Sequence, residues 1–179
     1  MERGNHPLPS PFMSPLTRCA ILFLNLTAAA FLLGGVGFVI AASVLEMPFG
    51  GLFRMFMYHE EHAFEYIGLV AVIFGAVGTV WHRYLGGWTG WKRWLSIIAV
   101  MVVTILLASA PGGVLYAIHD MQAGYFPEGE RFRDALWWGA EQGLMLGWLV
   151  ILGSIPYNVL GLIIGALVLH RLPGMVLRR

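Results

Sequence analysis

Four stretches of the chain are apolar without the period-two alternation that marks a half-buried strand. They cover about residues 17–45, 62–82, 94–118 and 134–169. A hydrocarbon core of about 30 Å takes roughly 20 helical residues to cross, so each stretch is long enough to span. Backbone groups in lipid find no water to bond, which leaves helices or closed barrels as the spanning structures. Continuous apolar runs select helices. The first run has no charge between Arg18 and Glu46, and it exceeds the roughly 7–15 apolar residues of a secretory signal. It reads as an anchor.

The pattern predicts an all-α, polytopic membrane protein: a four-transmembrane-helix bundle forming one domain over residues 17–171. Residues 1–16 carry Pro7, Pro9, Pro11 and Pro15 and read as a disordered cytoplasmic tail. Residues 172–179 form a short basic tail. Asp134 is placed to cap the fourth helix. Pro111-Gly112-Gly113 and Pro156 are expected to interrupt the third and fourth helices, because proline lacks the backbone donor and crowds the preceding turn.

Composition agrees. Of the 179 residues, 58% are hydrophobic and 12% charged, against about 25% charged in an average soluble domain. So little charge leaves most of the surface apolar, and the fitting partner is a lipid bilayer. A formal net charge of +1 argues against nucleic acid. Cys19 is the single cysteine, so the chain has no internal disulfide.

The signs of the charges are segregated. Arg3, Arg18, Arg83, Lys92, Arg93, Arg171, Arg178 and Arg179 lie on the tails and the second connection. The acids other than Glu2 lie towards the first and third connections. The positive-inside bias then puts both termini in the cytoplasm, N-in and C-in, at a plasma or inner membrane. Trp81, Trp88, Trp91 and Trp94 mark the inner interface, and Tyr58, Tyr125, Trp137 and Trp138 the outer one.

Gly139, Gly143 and Gly147 recur at spacing four, giving a flat strip on which another backbone can approach. The strip either packs within the bundle or joins a homo-oligomer or larger membrane complex.

The chemistry-bearing stretch is Tyr58-His59-Glu60-Glu61-His62-Ala63-Phe64-Glu65. On a helix, Glu61, His62 and Glu65 fall within about 100° of one another, with His59 flanking. His119-Asp120 and Glu141 reach the same end from other helices. The expected metal ligands are therefore drawn from His59, Glu61, His62, Glu65, His119, Asp120 and Glu141. Imidazole with carboxylate suits a divalent transition metal, namely Zn, Fe, Mn or Ni. Ionisable groups within a membrane are costly and often functional. The competing reading is of solvated acids favouring a helix N-terminus through its dipole. His62 and His82 are twenty residues apart, about 30 Å of helix, which sets them at opposite surfaces and argues against haem.

There is no Walker loop, nucleotide fingerprint, Gly-x-Ser-x-Gly elbow or Cys-x-x-Cys motif. The sequence points first to divalent metal binding linked to transport or sensing. An accessory subunit of a membrane complex and a membrane metalloenzyme are the alternatives.

Overall fold

A computed structural model of the chain describes residues 14–40, 43, 60–125, 132–153 and 155–176, with the side chains at 60, 147–160, 162 and 176 excepted. The described residues are all helical apart from short connections. They form α1 (Pro15–Ile40), α2 (Ala63–Leu85, entered through a 3-10 turn at Glu60–His62), α3 (Gly90–Gln122), α4 (Phe132–Gly153) and α5 (Ile155–Val176). Three of these, α1, α2 and α3, are long and apolar enough to cross a membrane.

Local chemistry explains where the helices start and stop. Ser14 accepts the Thr17 backbone N–H on its Oγ at 3.1 Å, satisfying a donor that the first turn leaves open. Pro15 occupies the first helical position, where its missing N–H costs nothing. At the far end of α3, Tyr125 N–H reaches the Asp120 carbonyl at 2.9 Å and Gly124 N–H reaches Met121 at 3.1 Å. This pair of bonds needs a left-handed residue at Gly124, whose φ is +77°. The stop therefore fixes the last turn of α3, which carries His119 and Asp120.

The core is one cluster of Leu22 and Leu26 from α1, Phe74 and Trp81 from α2, Ile97 and Val100 from α3, and Leu169 from α5. Glycines let the helices close on one another. A Cβ on Gly75 would fall on the Thr27 hydroxyl of α1, and one on Gly78 would stand 3.0 Å from both Leu26 and Leu169. Between α3 and α4 the approach is backbone to backbone. A Cβ on Gly113 would fall on the Gly139 carbonyl, and one on Gly143 on the Ser109 carbonyl. The close approach expected of Gly139 and Gly143 is thus made within the chain. Large apolar side chains meanwhile face outward, Leu24 at 62% exposure and Leu32 at 65% among them.

Several sequence expectations change. The fourth run is helical over Phe132–Gly153 (α4) and Ile155–Val176 (α5), and Ser154 between them lies outside the described residues. Pro156 is in helical backbone two residues beyond Ser154, so the interruption expected there falls beside a residue outside the described ones. Pro111 does not interrupt α3, which stays helical throughout its 33 residues. The neighbouring Gly113 instead serves the contact with α4, whereas an added Cβ on Gly112 would meet nothing within 4 Å. Asp134 is not a cap but sits in the first turn of α4, where a carboxylate still meets the positive end of the helix dipole. The stretch after residue 171 is helical up to Val176, with Pro173 buried. Residues 1–13, most of 41–59, and 177–179 lie outside the described residues.

Candidate metal centre

The antiparallel run of α2 and α3 brings the first residues of one beside the last turn of the other. His62 is the residue preceding α2, and its side chain makes no bond to the open backbone donors there. Its Nδ1 instead lies 2.9 Å from Glu65 Oε1, three residues on. The other carboxylate oxygen, Oε2, is 3.1 Å from Nε2 of His119 on α3. The two imidazole rings stack, with centroids 3.8 Å apart and planes 13° apart. Tyr66 closes the arrangement from α2, its hydroxyl 3.0 Å from His119 Nδ1.

A carboxylate only accepts, so both ring nitrogens that face Glu65 carry hydrogen and donate to it. In a neutral His119 the remaining Nδ1 is then a lone pair, and the Tyr66 hydroxyl donates to it. Each link of the chain Tyr66–His119–Glu65–His62 then pairs a donor with an acceptor, and both nitrogens of His119 are bonded. That matters because His119 is only 3% exposed and a buried imidazole without partners is costly. Glu65 is open to solvent on one side, with 53% of its side chain exposed, and His62 has 32%.

The same three side chains can hold a metal ion. One donor atom from each of His62, Glu65 and His119 lies within 4.8 Å of the others. Tetrahedral coordination at about 2.0–2.2 Å sets donors roughly 3.3–3.5 Å apart, so small side-chain adjustments convert the hydrogen-bonded cluster into a ligand set. Two imidazoles and one carboxylate form a borderline donor set, suited to late first-row divalent ions rather than to calcium or to soft monovalent copper.

The other expected ligands are placed as follows. Glu61 is exposed one turn before Glu65. Asp120 is buried, at 9% exposure, beside His119. Glu141 is exposed on α4. It is two residues from both Gly139 and Gly143, which face α3, so the 100° step turns it some 160–200° away from that helix. His59 lies outside the described residues. Tyr66 was not among the expected residues. The signal for it was its spacing of four from His62, which places both on one helical face.

At the opposite end the polar groups are of another kind. Arg93 donates to the His170 carbonyl at 3.0 Å, and Trp94 stacks on the His170 ring with centroids 5.4 Å apart. The Arg83 guanidinium lies 5.6 Å from the centroid of the Tyr84 ring. One end of the molecule is therefore basic and aromatic, while the other holds the histidine–carboxylate group. The chain matches no family model, no curated protein and no solved structure.

Proposed function

We propose that this chain is an integral membrane protein that binds a divalent first-row transition ion through His62, Glu65 and His119 and serves that ion's passage or sensing. The observation that carries the reading is the meeting of three donor atoms within 4.8 Å, brought from two separate helices. Its setting supports the rest. The group lies at the ends of apolar helices, open to water through Glu65 and closed behind by buried His119. In this reading α4 and α5 complete a fourth crossing, both termini are cytoplasmic, and the metal group faces outward, following the segregation of basic residues.

The test is metal binding by the purified full chain in detergent or lipid discs, stripped by chelator and titrated with Zn²⁺, Ni²⁺ and Mn²⁺. His62→Ala, Glu65→Ala and His119→Ala should each lose binding, whereas His82→Ala, at the other end, should retain it. Tight binding that persists in all three variants removes the proposal. Uptake or efflux of the bound ion in proteoliposomes then separates passage from sensing.

A further inference from the structure

We propose that Tyr66 controls how tightly the centre holds its ion, acting as a positioning residue behind His119. The inference rests on the metal-binding reading of His62, Glu65 and His119. Ring nitrogens that bind metals commonly have their second nitrogen held by a fixed partner, which sets the tautomer and the ring orientation. Tyr66 is that partner here, with its hydroxyl 3.0 Å from His119 Nδ1 and the ring planes 72° apart.

The hydroxyl suits both states of the site because it can donate or accept. In the metal-free cluster His119 keeps its hydrogen on Nε2, facing Glu65, and Tyr66 donates to Nδ1. When Nε2 serves as a ligand, a neutral His119 must carry its hydrogen on Nδ1. Tyr66 then accepts that hydrogen, and its own O–H turns to another acceptor. Asp120, the neighbour of His119 on α3, is a buried carboxylate at that end of the helix pair. A phenylalanine in this place would leave Nδ1–H in the half-buried wall with its acceptor removed.

The experiment compares Zn²⁺ affinity, by chelator competition, for the full-length wild type, Glu65→Gln, Tyr66→Phe and Tyr84→Phe. Tyr84 is exposed at the other end of α2 and serves as the control. Wild-type and Tyr84→Phe proteins should bind alike, Glu65→Gln should lose binding, and Tyr66→Phe should bind about tenfold or more weakly. Nitrogen NMR of ¹⁵N-histidine protein supplies a readout independent of affinity. His119 of the wild type should carry its hydrogen on Nε2 without metal and on Nδ1 with Zn²⁺. Wild-type protein that binds no Zn²⁺ overturns the metal reading itself. Binding that Glu65→Gln abolishes and Tyr66→Phe leaves untouched overturns only the role of Tyr66. Should Tyr66→Phe not fold, the wild-type spectra still decide, because a metal-free His119 carrying its hydrogen on Nδ1 contradicts the proposal.

Discussion

The two histidines of the centre hold the same carboxylate from opposite conditions of burial. His119 is 3% exposed and bonds both Glu65 and Tyr66. His62 and Glu65 are partly in water, and a bond between groups open to solvent contributes little to stability. Truncating His119 strips a partner from Tyr66 within the helix contact, a loss of about 1–3 kcal/mol, and also leaves a cavity. His62→Ala and His119→Ala should therefore both abolish metal binding, but only His119→Ala should markedly lower the unfolding midpoint of the metal-free protein. Reversible unfolding in mixed micelles measures this, and equal midpoints for the two variants would contradict the burial argument. The same contrast shows what a sequence reveals at this scale. His62 and Glu65 were legible as a pair because three residues on a helix make neighbours. His119 was expected among the ligands because antiparallel helices bring it to the same end. Glu141 was grouped with them by depth alone, since the rotation of α4 about its axis depends on Gly139 and Gly143 facing α3.

At the scale of helices, close packing is written into single glycines, and neighbouring ones differ. On Gly112 an added Cβ meets nothing within 4 Å, whereas on Gly113 it would collide with the backbone of α4. Gly112→Ala should be neutral or stabilising by up to about 1 kcal/mol, as alanine is the better helix former. Gly113→Ala should destabilise by about 1–3 kcal/mol or more, since a backbone cannot turn aside as a side chain does. Gly143→Ala should behave like Gly113→Ala, and Gly161→Ala, with open space around it, like Gly112→Ala. Thermal unfolding of the four variants checks the set, and a Gly113→Ala protein as stable as Gly112→Ala would deny the backbone contact between α3 and α4. The apolar runs and glycine spacing announced these helices from the sequence. What they hid was continuity. Pro111 sits within an unbroken α3, because in a membrane-spanning helix neighbouring groups can satisfy the backbone that a proline frees, and a run of apolar residues does not mark helix boundaries.

For the whole molecule, the decisive quantity is which face of the membrane receives the histidine–carboxylate group. The connection at residues 86–89 joins α2 to α3 at the basic end, beside Arg83, Lys92 and Arg93, and the turn that ends α3 at Gly124 and Tyr125 lies at the histidine end. Retaining basic residues on the cytoplasmic side makes these two turns report opposite sides. The chain lends itself to the measurement because Cys19 is its single cysteine. In a Cys19→Ala background, Gly87→Cys places a thiol where an added Cβ meets nothing within 4 Å, and Tyr125→Cys replaces a residue that is 64% exposed. A membrane-impermeant thiol reagent applied to intact cells should label Tyr125→Cys and spare Gly87→Cys, with both reacting once the membrane is opened. The reverse pattern would turn the centre towards the cytoplasm, where His62 and Glu65 would meet ions leaving rather than arriving. Labelling of both positions in intact cells would instead mean that α2 and α3 do not cross, and an outward metal centre framed by spanning helices would have to be given up.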